Sequence, residues 1–342
     1  MASDSKPPPQ TIRGIAKAAG VSTATVSRVI NAPNTVKPST REAVLKVINE
    51  NDYINDGMAR ALAGGRTKTI GVAIPTITNS IYASSTQAIQ RLCQTAGYAV
   101  ILVVSDFDPV RERELIRRLV ERRVDGIILT GADHDPGLHR VLERHNIPYV
   151  VTWRVEAEAA VPCVAFDNYA AGRLAMDHLL DLGHRRIGLI CGESGVNDRA
   201  LQRRKAYCDA LADRGIAVDT ALIHERAFEF ADGYEAAGAI LSTPPRASAI
   251  FAANDIQAVG AMAACRGAGL SVPGDISIIG FDDLPIAQFS APRLTTVRVP
   301  AADMGRIAAE RLLALVDGKP VEGSHILPVD LIVRDSTAPI PT

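Results

Sequence analysis

The sequence predicts an α/β protein in two parts, a small helical N-terminal domain followed by a larger domain of two doubly wound lobes. Three observations carry this. Residues 11–31, TIRGIAKAAGVSTATVSRVIN, place apolar residues at helical spacing on both sides of a glycine. From Thr69 onward, short β-rich runs alternate with helical stretches, which demands parallel sheets with right-handed crossovers. The alternation runs through two successive series, and each series implies one lobe. A chain of 342 residues is long enough for two or three domains with substantial cores.

Residues 1–10 contain three consecutive prolines and small polar residues, and read as a disordered tail. Ile12, Ile15, Ala16 and Ala19 then form the apolar stripe of a first helix, with Thr11 as its N-cap and Gly20 at its close. Ser22 caps a second helix whose inner side is Val26, Val29 and Ile30. Its outer side pairs Thr23 with Ser27 and Ala24 with Arg28, each four residues apart. Two short helices joined at a tight glycine turn make a helix-turn-helix, whose second helix fits a DNA major groove. The same spacing also suits a helical hairpin inside a larger core. A third helix runs from about Pro38 to Asn51, with Ser39 and Glu42 at capping-box spacing and Val44, Val47 and Ile48 turned inward above Tyr53.

Asp56 to Gly65, DGMARALAGG, reads either as a helix of about two turns or as a flexible linker, since a helix this short is marginal in water. Beyond it, IGVAI, AVILVV, GIILT and YVVT form the first strand series. RIGLIC, AIFAAN and ISIIGF form the second, with helices near 199–214 and up to about Ala268. Ligands of open α/β sheets bind beyond the carboxyl ends of the strands, here where two lobes would face each other.

Charge divides along the same boundary. Residues 1–68 carry a net +5 and the remainder −6, so a polyanion partner suits the small domain alone. Scattered surface charge could produce the same split. Five widely spaced cysteines without a C-x-x-C read as reduced thiols. MASDSKPPPQ has no apolar run, and no stretch approaches a membrane span, so the expected location is the cytoplasm. Neither a phosphate-binding loop, nor a dinucleotide fingerprint, nor a G-x-S-x-G elbow occurs, and His134 with His139 is the nearest approach to a metal pair. No enzyme, no cofactor and no metal are expected.

Val21 to Asn31, V-S-x-x-T-V-S-R-V-I-N, resembles the signature of the lactose-repressor (LacI/GalR) family of bacterial transcription regulators, and the likeness extends to the C-terminus. It implies a three-helix DNA-binding domain at 11–55, a hinge helix at 56–66, and a periplasmic-binding-protein-like effector and dimerisation domain at 67–342. A homodimer would bind a pseudo-palindromic operator. Thr23, Ala24 and Arg28 would touch base edges, Arg28 being suited to the O6 and N7 of guanine. Thr11, Ser22, Thr25, Ser27 and Asn31 would contact phosphates. Leu62 matches the leucine that wedges into the minor groove and kinks the operator. Lys37 stands where most of the family has Ser, and the Pro usual at position 55 is Asn55.

The resemblance also implies an effector pocket of Asn79, Tyr82, Trp153, Asp167, Arg203, Asn254 and Asp282. Carboxylate, amide and guanidinium groups can each make paired hydrogen bonds to adjacent hydroxyls, which suits a sugar or sugar acid. Trp153, the only tryptophan, could stack on a sugar face or fill the core. Asp or Asn after a strand could equally serve as a helix cap. Ala206 replaces a glycine of the family pattern, and Ser80 and Ile81 depart from its N-P-F-F loop. Because the chain stops at PVDLIVRDSTAPIPT, without the lactose repressor's extra heptad, a dimer is expected rather than a tetramer. Release by the effector is the expected mode. A corepressor mode and a sugar receptor without DNA function are the alternatives.

Overall fold

A computed structural model describes residues 11–53, 66–154 and 161–340. The N-terminal tail and the segment 56–65, Leu62 included, lie outside those residues, as does the side chain of Asn31. The chain divides into two units after Thr67.

The first unit holds α1 (Ile12–Ala18), α2 (Thr23–Asn31) and α3 (Pro38–Glu50), with a single 3-10 turn at Pro33–Thr35. Ile15, Ala16, Val26, Val29 and Val44 are buried together, ringed by Ile12, Ala19, Val21, Ile30, Val47, Ile48 and Tyr53. The helical stripes read from the sequence are therefore the faces that pack. Gly20 sits at φ 66°, the left-handed conformation that ends α1 without a Cβ penalty. The third helix starts differently from expectation. Lys37 is its N-cap and makes no side-chain capping bond, and Pro38 takes the first turn. Ser39 therefore falls inside the helix rather than at the cap, and the Ser39–Glu42 capping box does not form.

The second unit contains two six-stranded sheets. The first runs β11-β5-β4-β3-β1-β2, with β1 (Thr69–Ile74), β2 (Ala99–Val104), β3 (Gly126–Thr130), β4 (Tyr149–Thr152), β5 (Cys163–Ala165) and β11 (Ser324–Ile326). All its pairings are parallel. Around it lie α4 (Ser80–Thr95), α5 (Pro109–Glu121) and α6 (Pro136–Arg144). The second sheet runs β12-β10-β9-β8-β6-β7, with β6 (Ile187–Cys191), β7 (Ile223–Glu225), β8 (Ala249–Ala252), β9 (Ser277–Asp282), β10 (Thr295–Arg298) and β12 (Asp330–Ile332). Its helices are α7 (Asn168–Asp181), α8 (Asp198–Asp213), α9 (Phe230–Ser242), α10 (Asp255–Gly267) and the short α11 (Pro285–Phe289).

Two features differ from the sequence reading. The lobes are not consecutive: α12 (Ala301–Val316) returns to the first lobe, packing on α4, β3 and β4, and β11 then joins the first sheet. And β12 lies antiparallel to β10, so the second sheet is not wholly parallel. Local periodicity specifies an element but not its partner, which is why neither feature showed. In both sheets the strand order reverses beside the first strand of the lobe, at β1 and at β6. Loops leaving the carboxyl ends at such a reversal splay apart and open a crevice.

Candidate functional site

In the first unit the site is the outer face of α2. Ser22 caps the helix by accepting the Thr25 backbone N–H at 3.1 Å, and the two hydroxyls lie 2.9 Å apart. Thr11 caps α1 in the same way, accepting from the Gly14 N–H. Thr11 keeps its own hydroxyl proton, and the Ser22–Thr25 pair, which uses one of its two hydroxyl protons in its mutual bond, keeps the other, so each helix N-terminus retains a donor where anions are favoured. Thr23, Ala24 and Arg28 are exposed on α2, and Thr25 and Ser27 are half-buried beside them. Arg28 enters no ion pair among the described residues. Small side chains around a free guanidinium let the helix approach base edges closely.

In the second unit the predicted residues gather at the strand ends. Arg203, in the second turn of α8, is 7% exposed and has no hydrogen-bonded carboxylate partner among the described residues. Its Nε and Nη2 donate to Asn168 Oδ1 at 3.2 and 3.1 Å, its Nη1 donates to the Ala253 carbonyl at 2.6 Å, and the guanidinium lies 3.9 Å over the Phe281 ring. Burial lowers its pKa from the ordinary guanidinium range, with Asp282 opposing that shift. Asp282 ends β9 with φ 112°, buried, and the Asn79 side chain hydrogen-bonds to it from the other lobe. Its Oδ2 has no hydrogen-bond partner among the described residues. Burial pushes this carboxyl up to about 7, against the pull of Arg203 and Asn79.

The remaining predicted residues divide. Asn79 also caps α4 through the Ile81 N–H. Asn254 caps α10, accepting the Gln257 N–H at 2.7 Å, while its buried Nδ2 has no hydrogen-bond partner among the described residues. Tyr82 and Trp153 pack against each other, ring centroids 4.9 Å apart, and Trp153 is also edge-on to Phe166. Trp153 is 2% exposed and held at φ 74°, with its carbonyl accepting from Asn168, so its ring forms the wall behind the cluster. Asp167 is exposed, caps α7, and opens onto a crevice of about 150 Å³ lined by Arg154, Arg199 and Gln202. Its neighbour Asn168 is the residue that meets Arg203.

Several residues carried no sequence signal. Asp198, 2% exposed at the start of α8, accepts from the Ala132 N–H and from Arg154 of the first lobe, and its own N–H donates to Asp133. Arg199 pairs with Asp198 at 2.6 Å and hydrogen-bonds Tyr82 across the lobes. Gly131 makes room for it: at φ 83°, any Cβ would overlap the Arg199 guanidinium. A larger cleft of about 530 Å³ opens beside these contacts, within the range of small-molecule sites. Phe107, Phe228, Thr76, Thr78, Glu193 and Arg226 are among its lining residues. These side chains stand singly in loops, where no periodicity marks them.

A small helix-turn-helix unit followed by a two-lobed, cleft-bearing α/β domain defines a class of protein, the ligand-responsive DNA-binding regulator. Comparison with known proteins agrees. Residues 11–56 match the model for bacterial regulatory proteins of the lacI family, and residues 176–337 match that of a periplasmic binding protein-like domain. The HTH-type transcriptional regulator DegA of Bacillus subtilis (strain 168) is 36% identical over 97% of this chain and 99% of its own. The lac repressor dimer bound to operator and the anti-inducer ONPF superposes with a TM-score of 0.85 at 29% identity, covering 97% of this chain and 100% of that one. A complex of the transcriptional regulator CelR with cellobiose gives 0.71 at 30%, covering 95% and 99%. The chain belongs to the LacI family of transcriptional regulators, and it is not an enzyme. Among the described residues no helix is long and apolar enough to cross a membrane.

Proposed function

We propose that this chain is a cytoplasmic repressor that binds a pseudo-palindromic operator as a homodimer and is released by a sugar or sugar acid. Two α2 helices would read the half-sites through Thr23, Ala24 and Arg28, with Thr11, Ser22, Thr25, Ser27 and Asn31 on phosphates. Leu62 would serve as the minor-groove wedge at the operator centre. The lac repressor, solved as a dimer on its operator, and CelR, solved with cellobiose, support this assignment by similarity.

The observation that carries the effector half is the convergence of Arg203 and Asp282. A buried guanidinium with only neutral acceptors and a buried carboxyl with an orphaned oxygen are costly unless a third group completes them. Adjacent hydroxyls of a sugar supply both donor and acceptor, and a sugar carboxylate would be gripped by Arg203. Arg203 and Asp282 both belong to the second lobe, and Asn79 of the first lobe meets Asp282, so a ligand that satisfies all three favours one lobe arrangement over another. Asp282→Ala is expected to abolish the effector response while leaving operator binding intact. Fluorescence anisotropy of labelled operator, titrated with a sugar panel, tests this. Unimpaired release in the variant would remove Asp282 from the pocket.

A further inference from the structure

We infer that Asp283, gripped by Arg298 and Arg334, is a positioning residue that sets its neighbour Asp282 toward the effector and ties it to two chain crossings between the lobes; this rests on the sugar-effector reading above. Asp282 ends β9 at φ 112° and Asp283 follows at φ 54°, two consecutive residues with side chains in a conformation that favours glycine. Such a turn persists only where its surroundings over-determine it.

Two groups of partners do so. The first is Asp255 with Thr296. The fully buried Asp255 carboxyl accepts the Leu284 N–H at 2.6 Å on one oxygen and the Thr296 hydroxyl at 2.6 Å on the other. Thr296 in turn accepts the Asp283 N–H at 3.4 Å. The second group is the pair of arginines. The Asp283 carboxylate, its side chain 5% exposed, takes one arginine on each oxygen, Arg334 at 2.6 Å and Arg298 at 2.7 Å. Arg334 also donates to the Leu294 carbonyl at 2.7 Å, so its planar fork is fixed between the turn and the start of β10.

The places of those arginines in the chain give the ion pairs a second consequence. Arg298 is the last residue of β10, and only Val299 and Pro300 separate it from α12, which packs on the first lobe. Arg334 lies two residues beyond β12, on chain that has just left β11 of the first lobe. Leu327 still bonds the Ala165 carbonyl there, and only Pro328 and Val329 stand between it and β12. The Asp283 carboxylate therefore fastens the Asp282 turn to two of the crossings about which the lobes must move. A ligand that holds Asp282 in one place constrains both, and a shift of the crossings moves Asp282.

Isothermal titration calorimetry on the full chain, with ribose, glucose, galactose, cellobiose and gluconate, selects the tightest-binding member as the probe. Its affinity should fall about tenfold in Asp283→Asn and in Arg334→Gln, the order found when a group that orients a ligand-binding side chain is removed. Operator affinity without sugar should stay at the wild-type value in both. The double variant should bind the probe no more weakly than either single one, because the two residues act as a unit. It also removes both charges of the buried pair, and so keeps the test open should Arg334→Gln alone fail to fold. Arg334→Lys, which keeps the charge and loses the fork, should recover part of the affinity. The pH profile separates positioning from mere support. Probe affinity should break at about 7, where Asp282 titrates, and the break should be absent from Asp282→Asn. In Arg334→Gln it should move toward acid, because a loosened turn admits water to the carboxylate; loss of the cation's field alone would move it toward alkali. Unchanged affinity in Asp283→Asn, additive losses in the double variant, or a break that stays in place or moves toward alkali would overturn the positioning role and leave the sugar-effector reading intact. A panel of which no member binds would overturn both.

Discussion

Asp282 combines three properties that single residues rarely share: burial, a positive φ and an orphaned oxygen. Its carboxyl is raised to about 7, mainly by burial. The sign of the pH effect follows from linkage. A carboxyl raised in the folded state favours folding at low pH, and that contribution is lost as pH rises from the ordinary carboxylate range through about 7. Asp282→Asn removes the ionisation, so its stability relative to wild type should rise by roughly 2–3 kcal/mol between pH 5 and pH 8. Parallel denaturant curves at the two pH values measure it, and a constant difference would mean that Asp282 is already ionised in the fold. On α2, Arg28→Ala should weaken operator binding by about 1–3 kcal/mol and relax preference at one base pair. Unchanged sequence preference would reduce Arg28 to a phosphate contact. Arg203 and Asp282 were legible because they sit in motifs, R-R-K-A-Y and I-I-G-F-D-D, at the ends of recognisable elements. Phe107 and Phe228 were not, since a lone aromatic in a loop has no period to betray it. Trp153 was seen, but its buried position behind Tyr82 depends on a left-handed backbone that the sequence does not display.

The elements of the small domain were readable almost to the residue, because a helical stripe and a glycine turn are short-range signals. The strands of the large domain were readable for the same reason. Their assignment to lobes was not: α12 rejoins the first lobe after the second is nearly complete, and only long-range packing on α4 places it there. Close packing at glycines is equally silent in sequence. On α9 and α10 a Cβ at Gly233 would overlap the Gln257 carbonyl, and one at Gly260 would overlap that of Phe230, so the two helix backbones nearly touch. Gly260→Ala should therefore cost about 1–3 kcal/mol by forcing the helices apart, despite alanine's better helix propensity. A melting temperature at or above wild type would show that the helices separate freely. The start of α8 is the other element that matters, since Asp198 joins both lobes. Asp198→Ala leaves Arg199 buried without its partner and should destabilise the domain by about 3–5 kcal/mol, with Asp198→Asn intermediate. Chemical denaturation checks the order of the three proteins.

At the scale of the whole molecule, the chain joins a basic reading head to an acidic two-lobed sensor, and the function depends on communication between them. Groups from both lobes meet around the cleft: Asn79 with Asp282, Asp198 with Arg154, Phe107 with Phe228. A ligand that completes those meetings shifts the lobe equilibrium by no more than its differential affinity for the two arrangements, so a tenfold change in operator affinity requires about 1.4 kcal/mol of coupling. The central claim is that occupancy of this cleft changes binding by α2. It is tested most directly by measuring the affinity of the full chain for a selected palindromic DNA, at fixed salt, with and without a sugar or sugar acid selected from the panel by its binding to the chain. The account predicts at least about a tenfold change in wild type, and none in Asp282→Ala, whose affinity without sugar matches wild type. An operator affinity that ignores a sugar bound in the cleft, or a response that persists in Asp282→Ala, would contradict it.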